Sequence, residues 1–170
     1  KELIAKALDR RKIIIGVCFG AQLLAEALGG KLFPNDQKEI GWYEVILTLE
    51  GRNSFLFKNI PNRFITFHWH SDHYSLPPRC IGLARSRATA YQAFTAQDRP
   101  IVGIQFHPEY TLDMIRFFAH EHSEDWEPDR FVAGKLHVHG QLAPACHGKG
   151  QLGRLGGQQD ADPAVDADSC

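Results

Sequence analysis

The sequence predicts an α/β fold built on an open sheet, with a cysteine at the turn between a strand and a helix. Three features carry this expectation. Lys12-Ile-Ile-Ile-Gly-Val17 reads as a short buried strand, because three β-branched residues stand between a charged stretch and a glycine. Residues 19–28 then read as a helix, apolar at Leu23, Leu24, Ala27 and Leu28 and ended by Gly29-Gly30. A strand feeding directly into a helix is the unit of layered α/β architectures. A second apolar strand, Ile101-Val-Gly-Ile-Gln-Phe106, ends at His107-Pro108-Glu109.

The elements between and around these follow from punctuation and periodicity. The chain opens in a helical pattern with Leu3, Ile4, Ala7 and Leu8 on one face. Further strands are expected near 42–49, 64–68, 81–85 and 91–95, with a helical turn at 53–60. Pro61-Asn62, Pro77-Pro78 and Asp98-Arg99-Pro100 separate them. Thr111 suits the N-cap of a helix running to about 122, with Asp113 in its positive first turn and Leu112, Ile115 and Phe118 on its buried face.

A chain of 170 residues with 44% apolar content suits one domain with a sizeable core. A formal net charge of −1 gives no electrostatic grip on nucleic acid or an anionic membrane, so neither is expected as a partner. No apolar run approaches the roughly 20 residues needed to span a bilayer. The four cysteines (18, 80, 146 and 170) form no CxxC pair, which fits a reduced, cytoplasmic setting. The only methionine is Met114 and the chain starts inside a helical pattern, so N-terminal sequence is expected to be missing. Residues 136–170 differ in kind: glycine-rich, without large aromatic anchors, and ending in spaced aspartates. That stretch is expected to be a disordered or non-homologous tail, of native origin or from a disrupted reading frame.

Gly16-Val17-Cys18-Phe19-Gly20 has the form of a nucleophile elbow with cysteine in place of serine. The glycines allow a tight turn that pushes the side chain into the open. The helix beginning there aims its N–H groups at the sulfur, an arrangement that favours thiolate, and the Phe19 N–H can face a developing oxyanion. The competing reading is a buried structural cysteine, the commonest fate of a free thiol. A thiolate nucleophile needs a base and the base needs an orienting group. His107 and Glu109 stand at the carboxyl end of a strand, where open α/β sheets form sites. Pro108 fixes the backbone between them.

Gly-Val-Cys-Phe-Gly-Ala-Gln (16–22) and Gly-Ile-Gln-Phe-His-Pro-Glu (103–109) together resemble the signatures of the class I glutamine amidotransferases. His68-Trp-His-Ser-Asp-His-Tyr-Ser-Leu-Pro77, Leu83-Ala-Arg-Ser86 and Tyr91-Gln-Ala-Phe94 resemble the branch that contains the amidotransferase domain of GMP synthase and stand-alone proteins. The resemblance covers residues 1–135. It implies a flavodoxin-like sheet, no cofactor, and hydrolysis of glutamine or a related γ-glutamyl compound through a Cys18 thioester, with His107 and Glu109 completing the triad. It further implies substrate contacts from the backbone at Ser71 and Asp72 and the side chain of Gln22, and an ammonia-accepting synthase as a partner. The family's first strands, and a glycine-rich loop that supplies a second oxyanion N–H, have no counterpart in the chain. Impaired activity is therefore one expectation for it.

Two other readings compete. His68-x-His70-x-Asp72-His73 matches the HxHxDH string of metallo-β-lactamase-like hydrolases, and alternating histidines at a strand end can share a metal. His120, His122, His137, His139 and His147 could be recruited as well. Against this, an elbow stands where that family needs a β-rich half, so loop histidines bordering the thiol pocket are the preferred reading and no metal is assigned. The third reading is a non-enzymatic binding protein on the same fold.

Overall fold

A computed structural model describes residues 1–122. Helix α1 (Glu2–Asp9) leads to strand β1 (Ile14–Val17) and helix α2 (Phe19–Ala27). Strand β2 (Leu32–Leu47), helix α3 (Leu49–Asn53) and a 3-10 turn (Phe55–Phe57) follow. Strands β3 (Arg63–Tyr74), β4 (Cys80–Arg85), β5 (Ala93–Ala96) and β6 (Ile101–Ile104) precede helix α4 (Leu112–Glu121). The expectations for residues 136–170, including His137, His139 and His147, lie outside the described residues.

The six strands form one sheet in the order β1-β6-β5-β4-β2-β3. β1 and β6 are parallel, and every other pairing among the described residues is antiparallel. Because side chains alternate across a sheet, Ala93 and Phe94 of β5 enter different cores. Ala93 joins Val45, Leu47, Phe57, Leu83 and Phe106. Phe94 joins Ala21, Leu24, Ala25, Tyr74 and Ile101, beneath α2. The sheet also curls: an isolated antiparallel bridge links Phe67 of β3 to His107, beyond the end of β6.

Several expectations are corrected here. Among the described residues β1 stands at the edge of the sheet, and Ile13, just before it, and Ile15 within it are 80% and 62% exposed rather than buried on both faces. Apolar periodicity cannot distinguish a central strand from an edge one. In α4 the cap is as expected, Thr111 accepting from the Met114 N–H at 3.3 Å, but only Ile115 is buried and Leu112 is 54% exposed. β2 starts near Leu32, ten residues before its expected start, and β3 runs on through Tyr74 where a histidine-rich loop is expected. The two extensions explain each other. Each supplies the ladder partners of the other, with Glu39 opposite His70 and Gly41 opposite His68.

Candidate active site

The position of Cys18, the expected nucleophile, is built by backbone geometry. Cys18 caps α2 with φ 49° and ψ −109°, a left-handed conformation that side chains rarely adopt. It is held there by its own N–H, which donates to the Ile104 carbonyl at 2.7 Å, and by its carbonyl, which accepts from Gln22 N–H at 3.1 Å. Gly16 is required for this turn: a Cβ there would lie 2.5 Å from the Gly20 carbonyl oxygen and 2.6 Å from Leu24 Cδ1. At Gly20 a Cβ would meet nothing within 4 Å, so the room expected from both glycines is needed at only one.

The sulfur lies in a cleft of about 380 Å³ whose lining includes Cys18, Phe19, Trp69, His107, Tyr110 and Phe118. The thiol donates to the Trp69 carbonyl at 3.6 Å, and Gln105 Nε2 donates to Sγ at 3.8 Å. Burial pushes the thiol above its ordinary value. The Phe19 N–H acts against burial, the Glu109 charge adds to the rise, and Gln105 opposes it. Desolvation thus outweighs the helix-terminal N–H and the Gln105 amide, and favours the thiol over the thiolate.

His107 Nδ1 lies 2.8 Å from Glu109 Oε1. Since a carboxylate only accepts, Nδ1 carries the hydrogen, which in a neutral ring leaves the lone pair on Nε2. The imidazole also packs against Tyr110, with ring centroids 4.3 Å apart. Tyr110 in turn stacks on Phe118 of α4 at 5.4 Å. One cleft thus brings together Cys18, Phe19 and His107, with Glu109 behind the imidazole. Trp69, Tyr110 and Phe118 form an aromatic wall absent from the sequence-based site. Aromatic residues without a polar motif look like ordinary core.

The expected substrate-binding residues sit beside this group rather than in the cleft lining. Gln22 is buried, and its Nε2 donates to the Asp72 carbonyl at 3.2 Å and to Gln105 Oε1 at 3.4 Å. Ser71 and Asp72 are exposed near the end of β3.

The four-residue metal set does not assemble. His73 packs its ring on Phe33 at 5.6 Å, and Asp72 is exposed, with its backbone carbonyl, not its carboxylate, facing His70 Nδ1 at 3.1 Å. His68 and His70 are buried together, but with Glu39 of β2, which the sequence reading did not identify. Nor do the two histidines border the thiol cleft: Trp69, pointing to the other side of the strand between them, does. Two nitrogens and the Glu39 carboxylate lie close enough to hold a cation. However, Glu39 Oε2 already accepts from Thr89 Oγ1 at 2.6 Å and Gln92 Nε2 at 2.7 Å. The residues therefore fit a hydrogen-bonded carboxylate better than a metal ligand.

The family described as Glutamine amidotransferase class-I matches residues 1–116. The chain is 31% identical over 135 residues to the glutamine amidotransferase-like protein YfeJ of Salmonella typhimurium, covering 78% of this chain and 56% of that one. It is 35% identical over 112 residues to one subunit of the glutamine-hydrolyzing GMP synthase of Pyrococcus abyssi, covering 62% and 58%. Among solved structures, a glutamine amidotransferase from Thermotoga maritima superposes with a TM-score of 0.69 at 28% identity, covering 76% of this chain and 55% of that one. The chain spans a little over half the length of these proteins. The open α/β sheet is accordingly the flavodoxin-like fold of these enzymes, and the chain belongs to the class I glutamine amidotransferase family.

Proposed function

We propose that this site hydrolyses the side-chain carboxamide of glutamine or a related γ-glutamyl compound, with Cys18 as nucleophile, His107 as acid–base and Glu109 as orienting group. The observation that carries the reading is the strained backbone at Cys18 (φ 49°), which opens its thiol into the cleft that His107 lines while Glu109 holds Nδ1 at 2.8 Å.

His107 Nε2 takes the thiol proton as Sγ bonds to the carboxamide carbon, and the C=O electrons move onto oxygen facing the Phe19 N–H. Collapse of that oxyanion breaks the C–N bond, and the imidazolium returns its proton to the departing nitrogen, releasing ammonia. Water then gives a proton to Nε2 and adds to the thioester carbon. Sulfur leaves with that proton, and glutamate is freed. The backbone of the exposed residues Ser71 and Asp72 is assigned to the amino-acid head group, and Gln22 acts there by holding the Asp72 carbonyl. Similarity to a GMP synthase component supports an ammonia-accepting synthase as the partner. The chain itself supplies every group named, and the reaction needs no cofactor.

In the intact protein, Cys18→Ala is expected to abolish ammonia release from glutamine, and a thiol-directed glutamine analogue should label Cys18 and spare Cys80. Labelling at Cys80 with Cys18 untouched would overturn the assignment.

A further inference from the structure

Glu39 is a carboxylate buried to 1% exposure at a position where an apolar side chain would be cheaper. Burial alone would push it up, but hydrogen bonds from His70 and Thr89 reverse this and hold it at about 2. Buried ion pairs seldom add net stability, because desolvation offsets their attraction. What such a group does provide is orientation, and here its contacts lead in one direction.

Glu39 Oε2 lies 3.3 Å from His70 Nε2. The other nitrogen of that ring, Nδ1, lies 3.1 Å from the Asp72 carbonyl. The Asp72 carbonyl only accepts, so Nδ1 donates to it, while Nε2 has both Glu39 Oε2 and, at 3.5 Å, Gln92 Nε2 beside it. The same Asp72 carbonyl accepts from Gln22 Nε2 at 3.2 Å. Gln22 also donates to Gln105 Oε1 at 3.4 Å, which turns Gln105 Nε2 toward Cys18 Sγ at 3.8 Å. His70, Gln22 and Gln105 are 5%, 6% and 0% exposed, so these three side chains are sheltered from water, while Asp72, whose carbonyl joins them, is exposed.

We propose that Glu39 is a positioning residue for the thiol: through His70 and the Asp72 carbonyl it orients Gln22 and Gln105, and so fixes the amide that donates to Cys18. This rests on Cys18 being the nucleophile of the reaction above. It adds a role for a residue that touches neither substrate nor sulfur.

The test is alkylation of Cys18 by iodoacetamide as a function of pH in the intact protein, with Cys80 as internal control, alongside kcat and KM for glutamine. The groups facing the sulfur are His107, Glu109, Tyr110, Gln105, the Phe19 N–H and the Trp69 carbonyl. Glu39→Gln should move the Cys18 profile to higher pH and lower kcat by roughly 2- to 30-fold, the range for residues acting through a packed network. The Cys80 profile should stay in place. Glu39→Gln combined with Gln22→Met should be no worse than the more damaging single change, because both break one chain. Multiplicative effects of the two changes, or a lower melting temperature with an unmoved Cys18 profile, would reduce Glu39 to a structural residue. If Glu39→Gln fails to fold, Thr89→Val, which removes one donor to the carboxylate, should show the same shift in smaller measure; no shift there overturns the proposal. Alkylation needs no glutamine. If Cys18→Ala kept full glutaminase activity the functional reading would fall, while the profile would still report on the chain.

Discussion

His107 and Phe67 are paired across an isolated antiparallel bridge, with the His107 N–H 2.8 Å from the Phe67 carbonyl oxygen. Phe67 belongs to β3, the last strand in the hydrogen-bonded order, whereas His107 follows β6, which adjoins β1. The sheet therefore curls until its far edge meets the end of β6. That curl brings Trp69, two residues beyond Phe67, to the sulfur of Cys18. A cleft between the turn after β1 and the segment after β6 thus gains a wall from the opposite edge of the sheet.

Removing the Glu109 charge should separate two readouts that usually move together. Burial is the larger reason the Cys18 thiol sits high, and the Glu109 charge adds to it. Glu109→Gln should therefore shift Cys18 alkylation to lower pH. The same change replaces an acceptor-only carboxylate with an amide whose NH2 can face His107 Nδ1 and reverse its tautomer, so glutamine hydrolysis should fall by about 10²- to 10⁴-fold, as for a triad carboxylate replaced by its amide. Hydrolysis unchanged alongside the shifted alkylation would mean that Glu109 does not orient the base.

The two elbow glycines should behave differently. Gly16→Ala drives a Cβ to 2.5 Å from the Gly20 backbone oxygen, and the helix start must move to admit it. A loss of about 1–3 kcal/mol in urea unfolding is expected, with lost Cys18 labelling. Gly20→Ala meets open space and should leave the melting temperature nearly unchanged. Equal tolerance at both positions would contradict the steric account.

How much of this the sequence revealed depends on the range of the interactions. The elbow, the His107-Pro108-Glu109 segment and the Thr111 cap are local, and each was readable from spacing of a few residues. Glu39 was not, because its burial comes from pairing with His70, 31 positions away in the chain, across a β2 segment that begins with Pro34, Asn35 and Asp36 and reads as a loop. Ile13 and Ile15 misled for a related reason: three consecutive isoleucines indicate a strand, but not what lies on either side of it. The aromatic wall depends on the curl of the sheet, which no local pattern encodes.

Metal removal should leave the reaction untouched. A hydrolase using His68, His70, Asp72 and His73 needs four atoms converging on one ion at about 2.0–2.2 Å. Here the His73 ring packs on Phe33, and the buried Glu39 Oε2 is already engaged by protein donors. Purified protein is expected to carry substoichiometric zinc by elemental analysis, and a chelator should not change ammonia release. Activity lost on chelation and restored by zinc would move the reading to the hydrolase class.

Acid stability should carry the mark of His68. Its ring is fully buried among Tyr43, His70 and Phe106, and neither nitrogen has a hydrogen-bond partner. Burial lowers it from 6.5 to about 3, with the Glu39 charge acting the other way and His70 and His107 adding to the fall. The folded protein thus keeps His68 neutral in a range where the unfolded chain takes up a proton. The stability from this difference is fully present above pH 6.5 and is lost as pH falls from there toward 3. Glu39, depressed from 4.5 to about 2, contributes stability that is present above 4.5 and lost as pH falls toward 2. Between pH 6.5 and 4.5, therefore, His68 acts without Glu39. One extra proton on the unfolded chain gives a slope of about 1.4 kcal/mol per pH unit. His68→Phe keeps a buried aromatic ring without a titrating group, and should flatten the dependence of unfolding free energy on pH in that window by about this slope. It also removes the unpartnered nitrogens, so stability at pH 7 should fall little or rise. Urea unfolding of both proteins at half-unit steps from pH 7 to 4.5 measures the difference. Parallel curves would mean that His68 is protonated in the folded state, or reached by water, and would remove it from the core.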